Sequence, residues 1–244
     1  MINDDALVGR LLSRREVVAA LGATGAAWLA GGLLVPGRTV GATRVPSCVV
    51  RPEQTEGPYF VDEGLYRSDI RSDPTNGLVK AGTLLALTLL VSRIGTGTCE
   101  PLAGAQVDVW QCDADGVYSG VRDPGFDTLD KKFLRGHQRT DAGGEARFVT
   151  LYPGWYPGRT VHIHFKIRTE PGAPRGLEFT SQLYFDDAVT DRVHAAAPYG
   201  ARGRRTTRNR EDGIFRRGGD QLMLAPVATA DGYAASFAIG LQDS

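Results

Sequence analysis

The feature that most constrains this chain is a series of short strand-like segments separated by turns rich in glycine, proline and aspartate. No internal repeat and no sustained 3.6-residue apolar period accompanies them, which argues against a helical bundle. Strands spaced at such short intervals and joined by turn residues predict an all-β fold, a β-sandwich. The predicted strands are residues 84–91, 105–110, 145–151, 160–167, 177–185 and 233–241.

Two connections, residues 113–135 and 186–220, are longer than packing requires. Long loops held on a rigid sheet commonly carry function, so both are expected to contribute to a site. The second loop includes seven arginines between Arg202 and Arg217, interrupted by Glu211 and Asp212. Because acids interrupt the run, a solvated loop or short helix is expected there rather than an anion-binding surface.

The N-terminal 42 residues are typical of a cleavable export signal. Arg14 and Arg15 precede a weakly apolar run with four glycines, and Ala42 ends a small-residue site suited to signal peptidase. The paired arginines resemble a twin-arginine signal, although an uncleaved anchor helix has a similar length. We therefore expect an exported protein without a stable membrane anchor, with a β-sandwich domain over residues 43–244.

The charge balance is even, with 28 Lys and Arg against 28 Asp and Glu. Nucleic-acid binders carry a basic excess that neutralises phosphates, so the balance argues against a nucleic-acid partner. A small molecule is the expected partner, and the sequence leaves oligomerisation open.

Three cysteines, Cys48, Cys99 and Cys112, permit one disulfide in an exported chain. If residues 84–91 and 105–112 form a hairpin, Cys99 lies in its loop and Cys112 at the far end of a strand. An eight-residue strand spans about 26 Å, much more than a disulfide bridges. Pairing of Cys48 with either Cys99 or Cys112 is therefore favoured.

His162 and His164 are the strongest chemical signal. They lie two residues apart in a predicted strand, so both imidazoles project from one face and can bind one metal ion. No Asp or Glu lies within six residues of the pair, whereas Tyr156 and Tyr118 are available in the chain upstream. A phenolate is a hard anionic donor that suits Fe(III). A remote carboxylate remains possible, which would give a cupin-like Fe(II) or copper oxygenase, and a non-catalytic binding module is a third alternative.

A series of ordered motifs covers most of residues 55–185. The motifs are TEGPYF (55–60), GAQVDVW (104–110), DADGVY (113–118), FLRG (133–136), TDAG (140–143), PGWYPGRTVHIH (153–164) and SQLYF (181–185). Together they resemble the intradiol ring-cleavage dioxygenases. Two features, the short segment before Thr55 and the short link between Tyr156 and His162, resemble the extracellular branch of that family.

The resemblance implies a β-sandwich enzyme with non-haem Fe(III), which cleaves a catechol with O2 between its two hydroxyl carbons to give a muconate-type diacid. By position, the implied iron ligands are Tyr118, Tyr156, His162 and His164, with Tyr156 the ligand that the substrate displaces.

The resemblance also implies roles around the ring of the substrate. Arg159 is the expected electrostatic catalyst, since a fixed cation stabilises an anionic substrate, and Gln182 is expected beside it in the pocket. Trp155 either shields the metal or packs. The residues expected to contact the substrate are Pro58, Tyr59, Gly120 and Val121, with Asp123 also near the ring.

Overall fold

The structure is a computed structural model that describes residues 49–171 and 176–242. The predicted export signal, its boundary with the sandwich domain, and Cys48 lie outside the described residues. In the described part, no helix is long and apolar enough to cross a bilayer.

Two sheets, both mostly antiparallel, form the fold, which confirms the predicted all-β sandwich. All six predicted strands are present. The strands are β1 (Leu84–Gly95), β2 (Thr98–Pro101), β3 (Gln106–Trp110), β4 (Arg122–Asp123), β5 (Phe126–Asp127), β6 (Arg135–Arg139), β7 (Glu145–Leu151), β8 (His162–Arg168), β9 (Glu178–Tyr184), β10 (Val227–Ala228) and β11 (Gly232–Gln242). The first sheet contains β10, β11, β1 and β2 in that order, with β7 also paired to β1, and the second runs β6-β3-β8-β9.

The core lies between the sheets and follows from the alternation of apolar side chains. In β1, Leu85, Leu87 and Leu89 are fully buried while their neighbours are only partly buried, as a strand with one inward face requires. The sheets meet where Phe165 of β8 packs against Phe237 of β11, with ring centroids 6.0 Å apart.

The hairpin considered for residues 84–91 and 105–112 is wrong. β1 forms its hairpin with β2, and β3 belongs to the other sheet. β1 also pairs in parallel with β11, the last strand of the chain, a long-range pairing that local patterns cannot specify.

The cysteines agree with the expectation that Cys99 and Cys112 do not pair. Cys99, in β2, is disulfide-bonded, whereas Cys112 is a free and fully buried thiol.

Strand β8 positions the candidate site. Its residues Ile163 and Phe165 belong to the core between the sheets, so His162 and His164 project from the opposite face. That face is covered: both histidines are only 2% exposed, and a side chain at Gly57 would lie 3.5 Å from His164 Cε1. The segment around Gly57 therefore closes over the outer face of the second sheet.

The two long loops contain short elements. Residues 113–135 include the small β4-β5 hairpin, and residues 186–220 begin with helix α1 (Asp187–His194), capped by the Asp186 side chain. Arg205 and Arg208 form ion pairs with Asp187 and Asp191 of α1. The ion-pair partners of these two arginines are thus acids of α1 and not the acids that interrupt the arginine run.

Candidate active site

Two buried histidines form the inner part of the site. Their Nε2 atoms lie 3.1 Å apart, and His162 Nδ1 donates to the Thr160 carbonyl at 2.6 Å. Burial lowers the pKa of His162 to about 3 and lowers that of His164 well below its usual value. Both rings are therefore neutral at pH 7, and the lone pair of His162 lies on Nε2.

Two tyrosine hydroxyls converge on the same nitrogen. Tyr118 Oη lies 3.4 Å and Tyr156 Oη 3.1 Å from His162 Nε2. Tyr118 is completely buried, whereas Tyr156 is only partly buried. Burial raises the pKa of both phenols above the ordinary value. The structure thus brings together all four residues expected as metal ligands.

Aromatic packing fixes the orientation of the inner residues. The Tyr59 ring stacks on Tyr118 at 4.5 Å, and the Trp110 ring stacks on His164 at 4.9 Å with planes 8° apart. Trp110 was not assigned a role from the sequence, although it ends a predicted strand. Its contact depends on the pairing of β3 with β8, which places Trp110 opposite His164.

A tight loop presents Tyr118. The Asp113 carboxylate accepts hydrogen bonds from the backbone N–H groups of Asp115 and Val117, at 2.9 and 3.0 Å. Gly116 has φ +75°, and a side chain there would lie 2.3 Å from the Trp155 carbonyl oxygen. Glycine is therefore required where this loop contacts the segment that carries Tyr156.

Arg159 borders the four ligand candidates. Its Nη1 lies 3.5 Å from His162 Nε2, its Nε donates to Asp212 Oδ2 at 2.8 Å, and its Nη2 donates to Gln182 Oε1 at 2.5 Å. Burial alone would lower the pKa of Arg159, but Tyr156 and Asp212 outweigh it, and the pKa lies above its usual value. A fixed cation thus lies beside the site.

Asp212 holds this arginine and was missed from the sequence. It is 1% exposed, and besides Arg159 it accepts hydrogen bonds from the backbone of Thr160, Ile214 and Phe215. The available signal is the acidic pair that interrupts the arginine run, which predicted only a solvated loop or short helix.

Gln182 lies behind Arg159. It is fully buried; its Oε1 accepts from Arg159 and from the Tyr184 hydroxyl, and its Nε2 donates to the Thr55 carbonyl at 2.9 Å. These contacts place the amide as a support for the guanidinium.

An open cleft of about 410 Å³ lies on the Tyr156 side of the site. Tyr59 lies in its wall and donates to Asp123 Oδ2 at 2.8 Å. Trp155 is 9% exposed and lies under the Arg202 guanidinium, 5.0 Å from its ring centroid. The lining residues are Tyr59, Asp115, Gly116, Val117, Asp123, Gly125, Phe126, Tyr156, Pro157 and Arg202.

The other expected contact residues are placed differently. Val121 packs in the apolar cluster that contains Trp110 and Tyr118, and Pro58 is exposed on the segment that covers His164. Gly120 is not brought to the histidines: a side chain there would meet Glu63 and Arg135, at 3.5 and 3.6 Å. Its positive φ of 73° serves the turn instead.

Within residues 49–171 and 176–242, no group of three or more His, Cys, Asp or Glu side chains is arranged to hold a metal ion. A two-histidine, one-carboxylate site therefore finds no support in this part of the chain, whereas a site with tyrosine oxygens does.

Comparison with known proteins agrees with this geometry. A family model described as Dioxygenase matches residues 55–204. Chlorocatechol 1,2-dioxygenase from Pseudomonas putida is 30% identical over 54% of this chain and 52% of its own length. The protocatechuate 3,4-dioxygenase beta chain from Burkholderia cepacia is 33% identical over 56% of this chain and 62% of its own. The chain thus spans about half to three fifths of the length of these curated relatives.

A solved structure matches more completely. The intradiol ring-cleavage dioxygenase from Tetranychus urticae is 32% identical, with a TM-score of 0.68, over 80% of this chain and 95% of that one. Since the family match covers more than half of the chain and the solved enzyme aligns over nearly its full length, this chain belongs to the intradiol ring-cleavage dioxygenase family.

Proposed function

We propose that this protein is a non-haem Fe(III) dioxygenase that cleaves catechol-type diols with O2 between the two hydroxyl carbons, giving muconate-type diacids. The observation that carries the proposal is the convergence of two imidazole nitrogens and two phenol oxygens on one buried point. The names of the relatives, which include a chlorocatechol and a protocatechuate dioxygenase, support a catechol-type substrate.

The donor set fits a metal cation. His162 Nε2 has one lone pair, yet Tyr118, Tyr156 and His164 all approach it within 3.4 Å. A single lone pair cannot accept hydrogen bonds from all three groups, so hydrogen bonding alone does not account for the cluster. A cation bound through the two Nε2 atoms and the two phenol oxygens accounts for their convergence, and it leaves the buried His164 Nδ1 without a partner within the described residues.

The two phenols determine which type of cation the site would bind. Because burial raises their pKa, Tyr118 and Tyr156 stay neutral unless a nearby positive charge stabilises the phenolates. Two phenolates and two neutral imidazoles suit a hard trivalent ion. When bound, Fe(III) would supply Lewis acidity toward the diol oxygens and accept electron density from them.

Residues of this chain supply the other functions that the reaction needs: proton acceptance, charge stabilisation and packing of the substrate ring. Tyr156 Oη, on the cleft side, is placed to accept a proton from a substrate hydroxyl. The Arg159 guanidinium stabilises the anionic diol, and Gln182 and Asp212 hold that guanidinium in place. Tyr59, which lines the cleft and stacks on Tyr118, forms the aromatic wall against which a substrate ring can pack.

We also propose that the protein is exported. The disulfide at Cys99 supports an oxidising compartment, and the paired arginines near the N-terminus support a twin-arginine route.

The visible spectrum and the reaction product test the enzymatic proposal. Tyrosinate bound to Fe(III) absorbs strongly in the visible range, so the iron-loaded protein should be coloured and should convert catechol and O2 to cis,cis-muconate. A colourless sample with full iron content would refute the ligand set. A product cut outside the diol would refute the intradiol assignment.

A further inference from the structure

Arg202 lies in the cleft beside the candidate site without an anionic partner. It ends the short 3-10 helix Tyr199–Arg202, within the loop of residues 186–220, and it lines the same cleft as Tyr59 and Tyr156. In the described part of the chain its guanidinium forms no ion pair, and its Nε is buried without a hydrogen-bond partner. By contrast, Arg159, Arg205 and Arg208 all have carboxylate partners.

The guanidinium is held in position although it is unpaired. It lies over the Trp155 ring, with Cζ 5.0 Å from the centroid, and stacking on tryptophan orients the planar group. A side chain at Gly116 would lie 3.3 Å from Arg202 Nη2, so the absence of a side chain there leaves room for the guanidinium. Trp155 directly precedes Tyr156, so Arg202 is anchored next to the ligand candidate that faces the cleft.

An oriented guanidinium binds a carboxylate through two parallel hydrogen bonds. We propose that Arg202 is a specificity-determining residue that binds a carboxylate on the substrate ring, so that the preferred substrates are dihydroxybenzoate-type acids rather than unsubstituted catechol. This inference rests on the proposed function, since it assigns the substrate class of the same site. The cleft, at about 410 Å³, has room for a small aromatic acid.

Asp115 and Asp123 also line the cleft. Their negative charges would repel a substrate carboxylate, but less strongly than two free charges would. Asp123 accepts hydrogen bonds from the Tyr59 hydroxyl and from Gly125 N–H. Asp115 is exposed to solvent, where water and salt screen its charge. Arg202, held against Trp155, is the oriented and unpaired charge of the cleft.

The experiment compares two substrates of equal shape and different charge, 3,4-dihydroxybenzoate and its neutral amide, 3,4-dihydroxybenzamide, on the iron-loaded protein. The wild type should show the lower KM for the acid. Arg202→Gln should raise KM for the acid about ten-fold or more, with KM for the amide unchanged, and Arg202→Lys should recover part of the loss.

Arg204→Gln is the matched control, because Arg204 is an exposed arginine two residues away that does not line this cleft. It should leave both KM values unchanged, and thermal unfolding should show that every variant is folded. Equal changes for acid and amide in Arg202→Gln, or no change for either, would overturn the assignment. Preference of the wild type for 4-(2-aminoethyl)catechol would overturn it too, since Asp115 and Asp123 would then dominate the cleft.

Failure of the proposed function is a separate outcome. If neither compound nor catechol is cleaved, the enzymatic proposal fails, and calorimetric titration of the same variants with the acid and the amide decides the role of Arg202. Tighter binding of the acid that depends on Arg202 supports the inference, and equal affinities refute it.

Discussion

The inner and outer sides of the candidate site are built differently. On the inner side, Tyr118, His162 and His164 are at most 2% exposed and are held by strand pairing and ring stacking. On the outer side, Tyr156 is only partly buried and faces an open cleft. Under the proposed function, the rigid inner side would fix the ion, and Tyr156, the more accessible ligand candidate, would be the one that exchanges with substrate.

The largest expected effect separates the two tyrosines. Tyr118→Phe removes a buried oxygen ligand candidate with no replacement nearby. It should lower turnover more than about 100-fold and weaken iron binding. Mutation of residues that only hydrogen-bond to a metal ligand already lowers metal affinity or activity by about 10–100-fold, so loss of a ligand should cost more. Tyr156→Phe should also impair turnover but retain more iron, because the cleft admits water to the vacant position. Iron content and the visible spectrum after dialysis measure the difference.

Tyr66→Phe serves as the control for both variants, because Tyr66 is 66% exposed and its ring contacts His137, which is not one of the four ligand candidates. If Tyr156→Phe loses as much iron as Tyr118→Phe, the contrast between a fixed and an exchangeable tyrosine is refuted.

The next largest effect is expected for Arg159, whose guanidinium lies between the inner and outer sides of the site. Arg159→Ala should lower kcat about 100-fold, since removal of a preorganised charge stabiliser has an effect of that order, while iron stays bound. Arg159→Lys keeps the charge but not the fork of donors, so an intermediate kcat is expected. Loss of iron from Arg159→Ala would show that the arginine maintains the inner side rather than acting on substrate.

Asp212→Asn should have a smaller effect on catalysis, about ten-fold in kcat, because Arg159 keeps its hydrogen bond to Gln182. It should also lower the free energy of unfolding at pH 7 by about 3 kcal/mol, since a buried ion pair loses one partner. Glu211→Gln, at the exposed neighbouring acid, is the control and should leave kcat unchanged.

The loss of stability caused by Asp212→Asn should depend on pH. Burial alone would raise the pKa of Asp212, but hydrogen bonds from Thr160 N–H and Arg159 outweigh it, so the pKa lies below 3.8. The carboxylate therefore stabilises the fold at pH values above 3.8, and the contribution is lost as pH falls through the lowered pKa. Urea unfolding should show a smaller difference between wild type and Asp212→Asn in strong acid than at pH 7; a constant difference would contradict this.

The smallest effect is expected in the cleft wall. Tyr59→Phe keeps the ring that stacks on Tyr118 but removes the hydroxyl that donates to Asp123. KM for catechol should rise about three-fold or less, since one such hydrogen bond contributes little net free energy. A large loss of iron in this variant would show that the wall and the inner side act as one unit.

Much of the architecture follows from local pattern. The strands predicted at residues 84–91 and 160–167 are present, and the spacing of His162 and His164 predicted that both project from one face. What the pattern did not predict is pairing: β1 joins β11, about 150 residues later. The same limit explains the wrong hairpin, since an unremarkable four-residue strand, β2, pairs with β1 instead.

The residues that support the site depend on such long-range contacts. Asp212 and Arg202 belong to one arginine-rich loop, and nothing in its sequence distinguishes an acid that holds Arg159 from one in solvent. Gln182 shows the same limit: its motif placed it in the pocket, but only the pairing of β8 with β9 shows that its amide faces Arg159.

The sequence by itself therefore determined the strands and the shared face of the histidine pair, because these depend on residue type and on a period of two. The two tyrosines were assigned as ligands by the resemblance to the family. The tertiary structure decided which tyrosine is buried, which acid holds the arginine and which arginine remains unpaired in the cleft. Those properties depend on which distant segments exclude water from a side chain, and folding alone brings those segments together.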